Sequence, residues 1–325
     1  MNRREALAAI AAGLLVKPLL GIAKNSDRVP VVGFLITHPP IDVPVVDSLR
    51  NGLRRYGYID GNNIRLEVRS ALGQLDRVAQ MAEEMVNIPA DVIVIVNEIA
   101  LKAVKGATST IPIVMVGFTD DPVVEGWIDS YRRPGTNVTG IFNVNANLVA
   151  KRLEVLKEAL PKLSRVAVFR DPVFGYRQLD ELKAAAKLLA VELAVIEVRD
   201  GDGLPGAFKT AKRKRAGAVM FLWSPVFYLQ RRQAAELGLA HRMPTMGSQD
   251  VLAYEGCMMF YGSQTGPAFE RAGYFVDRLI KGTKPDELPV EQLSELKLIV
   301  NLKTAEKLGV SLPRSILLRA DEVIE

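Results

Sequence analysis

Short runs that are apolar at every position alternate along this chain with longer stretches whose apolar residues recur three or four positions apart. The uniformly apolar runs at 31–36, 92–96, 113–116, 166–169, 218–222 and 258–261 predict strands covered on both faces, since a strand with one face in water would alternate. The runs at 64–68 and 193–198 do alternate and predict strands nearer a sheet edge. Between the runs lie helical faces: Val46, Leu49 and Leu53; then Leu75, Val78, Ala82, Met85 and Val86. Later ones are Leu179, Leu182, Ala186 and Leu189, and Phe269, Ala272, Phe275, Val276 and Leu279. Strand followed by helix, repeated, is the pattern of βα units on a parallel sheet, so the predicted fold class is α/β. At Asp121-Pro122 a capping carboxylate precedes a proline suited to the first helical position, which predicts a short helix there.

The repeat breaks at 132–140, where proline and glycine punctuation leads into a short extended run. A helix is predicted over 147–160, and a fresh series of βα units starts at Val166. Two similar α/β halves joined near 138 are the simplest reading. A second punctuation at 281–285 precedes the extended Leu288-Pro289-Val290-Glu291, where a further crossing between the halves is expected. A chain of 325 residues with 49% hydrophobic content is long enough for two medium cores.

The first 23 residues read as an export signal. Arg3 and Arg4 form a basic start, an alanine-rich apolar stretch runs to Val16, and Gly21-Ile22-Ala23 offers the small residues at which a signal peptidase cuts. Ala6 stands where a twin-arginine signal usually has a large apolar residue, so either the twin-arginine or the general secretory route fits. Lys17-Pro18 interrupts the apolar run, which is too short for a spanning helix of roughly 20 residues. A lipid anchor would need a cysteine at the cleavage site, and the single cysteine is Cys257. The expected product is a soluble, exported chain beginning near Lys24.

Charge adds little to this picture. The net charge is +5, of which Arg3, Arg4 and Lys17 against Glu5 supply +2, leaving +3. The densest basic cluster, Lys209 with Lys212 to Arg215, closes a predicted helix, where cations offset the helix dipole and face water, so no nucleic acid partner is expected. One cysteine forms no intramolecular disulfide, and Cys257 beside Met258 and Met259 reads as a buried thiol. The two histidines, His38 and His241, have no ligand-spaced partners, so no metal site is predicted. There is no glycine-rich phosphate cradle and no nucleophile elbow, so the expectation is a binding protein without cofactor rather than an enzyme.

Doubly wound sheets bind ligands outside the carboxyl ends of their strands, and this selects candidates by position alone. In the first half they are Thr37 and His38, Asn97 and Glu98, and Phe118, Thr119 and Asp120. In the second they are Arg170, Asp171 and Phe174, then Trp223 and Ser224, Ser248 and Gln249, and Tyr261. Phe118, Phe174, Trp223 and Tyr261 are four rings at strand tips in a chain only 6% aromatic, which suits an aromatic or largely apolar ligand; the other role open to each is a plug between strand and helix. Arg170 suits a bidentate grip on a carboxylate, or else faces solvent or pairs with Asp171. Glu98 and Asp120 suit an ammonium, or are exposed loop acids. His38 either meets ligand or packs its loop. Asn137, in Asn-Val-Thr, reads as a hinge residue bonding local backbone.

Several motifs in order resemble the tryptophan/tyrosine-type ABC transporter substrate-binding proteins: RPGTNVTG at 133–140, ATSTIPIV at 107–114 with Asp121-Pro122-Val123 downstream, LPVEQ at 288–292, IVNLKTAEKLG at 299–309 and LRADEVIE at 318–325. The resemblance spans about 29–325. It implies a type I periplasmic-binding fold of two Rossmann-like lobes joined by a three-segment hinge, with the ligand between the lobes. By analogy one lobe is 28–138 with 262–287 and the other 139–261 with 288–325. It further implies a periplasmic, monomeric carrier of a small amphipathic or aromatic carboxylate or amino acid, delivering it to a membrane permease driven by an ATPase. A sensing module of the same fold, feeding a receptor instead, is the alternative.

Overall fold

The computed structural model describes residues 28–37, 44–118, 121–143, 148–174, 176–293 and 295–325. The export segment, His38, Thr119 and Asp120 lie outside the described residues. In the first half the chain runs β1 (Val31–Ile36), α1 (Pro44–Arg54), β2 (Arg65–Ser70), α2 (Val78–Asn87), β3 (Val92–Ile95), α3 (Glu98–Ala107), β4 (Ile113–Phe118) and β5 (Val138–Asn143). It then enters α4 (Leu148–Ala159), β6 (Arg165–Arg170), α5 (Tyr176–Leu188), β7 (Glu192–Glu197), α6 (Gly203–Arg213), β8 (Ala218–Phe221), α7 (Pro225–Leu229), α8 (Arg231–Ala240), β9 (Thr245–Gly247), α9 (Asp250–Tyr254) and β10 (Met259–Gly262). The last elements are α10 (Thr265–Ile280), β11 (Glu291–Leu293), β12 (Lys297–Asn301), α11 (Leu302–Leu308), α12 (Arg314–Arg319) and β13 (Glu322–Ile324).

These strands form two sheets. The first has the order β11-β5-β4-β3-β1-β2, with every neighbouring pair parallel. The second has the order β13-β12-β10-β9-β8-β6-β7 and is parallel except where β12 runs against β10. In each half the first strand lies between the second and the third, so β2-β1-β3-β4 and β7-β6-β8-β9 repeat one topology. All residues of β1 and β3 are buried, as uniformly apolar central strands require. The alternating segments became β2 and β7, and each is the edge of its sheet.

Helices cover both faces of each sheet, with one main apolar cluster on each face. The fit of α10 decides which lobe that helix belongs to. It lies along α1, where Gly52 and Gly273 bring the two backbones together, and its Phe269 ring sits 5.9 Å from Phe34 of β1. So α10 is part of the first lobe although it follows the second lobe's β10.

The structure moves two expected boundaries. The first lobe was expected to end at 138, but β5 pairs with β4 through Phe142. The Pro134-Gly135 turn introduces one more strand of the same sheet, and the chain crosses after Asn143. Likewise the tail from 288 does not belong wholly to the second lobe: β11 pairs with β5, whereas β12 and β13 join the second sheet. Crossings therefore fall after β5, after β10 and after β11, which makes the three-segment hinge. The short helix expected at Asp121-Pro122 is a run of turns instead. The Asp121 carboxylate does accept the Val123 and Val124 amides, but the chain turns away at Gly126, whose φ is +68°.

The basic cluster Lys209 with 212–215 is exposed throughout, as a solvated helix end should be. Cys257 is fully buried, and burial pushes its thiol up to about 12. A thiolate reagent at about pH 8 is therefore expected to leave the native protein unmodified and to label it once unfolded, followed by mass spectrometry. Rapid native labelling would place Cys257 outside the core.

Candidate functional site

Where the carboxyl ends of the two sheets face each other, a cleft encloses about 710 Å³ of free space, counting solvent at its mouth. The first lobe supplies Ile36 at the end of β1 and Thr37 after it, Val45 of α1, Val96 and Asn97 after β3, and Val116 and Gly117 of β4. The first turns of α10 add Thr265, Ala268 and Phe269. Opposite them stand Trp223 with Pro225 and Tyr228 of α7, Ser248 and Gln249 after β9, and Ser263 in the crossing after β10.

The two walls differ in chemistry. On the first lobe the polar groups are already engaged. Asn97 caps α3 by accepting the Ala100 amide at 3.0 Å and donates through Nδ2 to Thr37 Oγ1 at 2.6 Å. What remains is apolar, apart from the opening at Gly117. That residue has φ +75° and sits at a bulge between Val116 and Phe118, and a side chain there would enter open space.

On the second lobe and the crossing the reverse holds. Tyr228 Oη, Ser248 Oγ, Gln249 Oε1 and Ser263 Oγ are buried and find no hydrogen-bond partner among the described residues. A buried polar atom left unmatched costs about 1–3 kcal/mol, so four around one cleft is a heavy concentration. Burial raises the Tyr228 hydroxyl to about 12, which keeps it a neutral donor at ordinary pH. Its ring also packs into the apolar cluster of the first lobe.

Two buried charges stand behind this wall. Arg152 of α4 is 1% exposed and donates from Nε to the Tyr261 carbonyl at 2.7 Å and from Nη2 to the Ser248 carbonyl at 3.3 Å. Burial draws its guanidinium down to about 10, so it stays charged at neutral pH. Asp250 accepts the Thr265 amide at 3.1 Å and the Thr265 hydroxyl at 2.7 Å. Burial pushes this carboxyl up, and the two Thr265 bonds oppose the shift.

Of the expected site residues, Thr37, Asn97, Trp223, Ser248 and Gln249 line the cleft. Seven others do not. Phe118 turns into the first lobe's core, edge-on to Trp127 at 5.2 Å, because the bulge at Gly117 reverses the side it presents. Arg170 folds back onto its own loop, on the Asp171 and Pro172 carbonyls, with Glu197 at 3.9 Å, so it offers no grip for a carboxylate in the cleft. Asp171 and Ser224 satisfy each other at 2.6 Å and cap Val173 and Val226. Phe174 stands behind Trp223, edge-on at 5.6 Å. Tyr261 contributes its carbonyl to Arg152 while its ring packs on the second lobe's core. Glu98 occupies the first turn of α3, off the lining. His38, Thr119 and Asp120 fall outside the described residues. Asn137 does not bond local backbone: it donates to the Ile111 carbonyl at 2.9 Å, 26 residues away and just before β4, and it sits ahead of β5 rather than in a crossing.

Sequence reasoning missed Tyr228, Ser263, Thr265, Phe269 and Arg152. Arg152 carried a signal: it shares a helical face with Leu148, Val149, Val155, Leu156 and Ala159, and a cation on an apolar face must have something to hold.

A family model described as ABC transporter substrate binding protein matches residues 29–324. A tyrosine-binding protein of Clostridioides difficile (strain R20291) is 25% identical over 331 residues, covering 95% of this chain and 94% of the relative. A solved structure of a conserved domain protein from Vibrio cholerae O1 superposes with a TM-score of 0.81 at 23% identity, over 91% of this chain and 100% of that one. An ABC domain in complex with L-Trp from Streptococcus pneumonia superposes with a TM-score of 0.80 at 22% identity over the same shares. The shared fold is the two-lobed architecture of type I periplasmic binding proteins. With the family model spanning both lobes and all three crossings, the chain belongs to the ABC transporter substrate-binding protein family.

Proposed function

We propose that the exported chain captures a small amphipathic solute with an aromatic or apolar body between its lobes and delivers it, as a periplasmic monomer, to the permease and ATPase of an importer. The observation that carries this reading is the set of four unmatched polar atoms, on Tyr228, Ser248, Gln249 and Ser263, facing an apolar wall across the cleft. The solute's apolar body lies against Ile36, Val45, Val96, Val116, Ala268 and Phe269, with the Trp223 ring opposite. Its polar group meets the three hydroxyls and the amide. Contacts to both walls favour the closed arrangement of the lobes, which the permease then recognises. Aromatic amino acids are the first solutes to test, because one relative is named for tyrosine and a structural neighbour holds L-Trp.

L-tyrosine or L-tryptophan at about 100 times its Kd is expected to stabilise the protein by about 2.7 kcal/mol, read as a rise in melting temperature. Trp223→Ala is expected to weaken that solute roughly 30-fold while the chain stays folded, as loss of an aromatic anchor does. Tyr228→Phe separates binding from packing: removing an unmatched hydroxyl raises ligand-free stability by up to about 1 kcal/mol and weakens binding roughly tenfold. Failure of every amino acid, aromatic acid and small amphipathic solute to shift the melting temperature would sink this reading.

A further inference from the structure

We propose that Asp250 is a positioning residue that sets the crossing from β10 to α10 and thereby registers the two walls of the cleft against each other. Asp250 opens α9 in the second lobe, directly after the cleft residues Ser248 and Gln249. Asp250 is 5% exposed, and each of its carboxylate oxygens accepts from Thr265, Oδ1 from the hydroxyl at 2.7 Å and Oδ2 from the amide at 3.1 Å. Thr265 is the first residue of α10, which belongs to the first lobe through its contact with α1. The helix's own N-cap, Gln264, makes no side-chain capping bond. The cap therefore comes from the other lobe, and it places a carboxylate at the positive end of a 16-residue helix.

Only Ser263 and Gln264 lie between the end of β10 and Thr265. Fixing Thr265 to Asp250 therefore fixes the torsions of that crossing, on which the cleft-facing Ser263 hydroxyl sits. Thr265, Ala268 and Phe269 follow on the same first turns. Asp250 itself is not part of the lining, so its effect on a ligand passes through these residues. Burial disfavours a carboxylate here, and the paired bonds to Thr265, helped by the Val251 and Asp250 backbone amides, oppose that.

The consequence for binding rests on the proposed function, so the test has one arm without ligand. Amide hydrogen exchange on the full ligand-free chain is compared between residues 263–269 and 270–280 of wild type, Asp250→Asn, Asp250→Ala, Thr265→Val and Thr265→Ser. Loss of a charge-assisted bond is expected to speed exchange of the first segment roughly tenfold in Asp250→Ala, less in Asp250→Asn and Thr265→Val, and not in Thr265→Ser. The 270–280 segment should stay as in wild type. In the second arm L-tryptophan is titrated into wild type, Asp250→Asn and Asp250→Ala, none of which alters a cleft-lining side chain, and its affinity is expected to fall in that order, roughly tenfold for Asp250→Ala. Exchange that is unchanged, or raised evenly along the helix, would overturn the proposal, as would unaltered L-tryptophan affinity in Asp250→Ala when wild type binds. If wild type binds none of the solutes tested, the cleft reading fails, while the exchange pattern still decides the role of Asp250.

Discussion

Alanine at Gly273 is expected to destabilise the protein by about 3 kcal/mol and to lower its melting midpoint by roughly 5–10 °C. In an ordinary helix the same change is favourable by about 1 kcal/mol, because glycine has more backbone freedom to lose. Here the sign reverses. A Cβ at Gly273 would lie 2.3 Å from the Gly52 carbonyl carbon, and one at Gly52 would lie 2.1 Å from the Glu270 carbonyl oxygen. Both obstacles are backbone, so no rotamer change relieves them, and α1 must part from α10. The separation also displaces Thr265, Ala268 and Phe269, so solute affinity should fall with stability. Gly206 of α6 is the control: a Cβ there meets nothing within 4 Å, and alanine should stabilise by up to about 1 kcal/mol. Chemical unfolding of the two variants side by side checks the claim. Equal, favourable shifts would mean that the helices are not in backbone contact.

That contact shows where the sequence stops being readable. The pattern Phe269, Ala272, Phe275, Val276, Leu279 establishes a helix and its buried face, but it is silent on which lobe the face covers. Gly52 and Gly273 are the determinants, and each looks like a tolerated helical glycine until the partner is in place. The central strands were legible because burial on both faces leaves runs such as VVGFLI and VIVI. β9, β11 and β13 have three residues each, too few to show a period. The misplaced lobe boundary has the same root: proline and glycine announce a turn, and a turn precedes another strand of one sheet as readily as a crossing to the next.

For the site, the strand-tip rule found positions and missed orientations. It named Phe118, whereas the bulge leaves Gly117 at the cleft and sends the ring inward. It named Asp171 and Ser224, which consume each other at 2.6 Å. It stopped at Tyr261, two residues short of Ser263. Among the described residues the rings at the cleft come largely from helices, with Tyr228 on α7 and Phe269 on α10, and only Trp223 from a strand tip. Which polar groups remain unmatched depends on the whole set of hydrogen bonds, and no local pattern encodes that.

The second large effect is expected at Arg152, and two substitutions there should behave differently. Alanine leaves the Ser248 and Tyr261 carbonyls without their donor, at about 1–3 kcal/mol each, and a cavity where the side-chain stem lay adds about 2 kcal/mol. Relief from burying a cation offsets part of this, since at neutral pH the guanidinium is charged in folded and unfolded chains alike and the burial penalty is present in full. The net loss for Arg152→Ala is about 3 kcal/mol. Methionine fills most of the space and also removes the buried charge, so Arg152→Met should stay within about 1 kcal/mol of wild type. Its affinity for the solute should nevertheless fall roughly tenfold or more, because Arg152 holds the ends of β9 and β10 from which Ser248, Gln249 and Ser263 reach the cleft. Urea unfolding together with solute titration of both variants separates the terms. A methionine variant as stable and as tightly binding as wild type would show that the strand tips hold their places without the guanidinium, and that the buried cation contributes nothing to the wall in front of it.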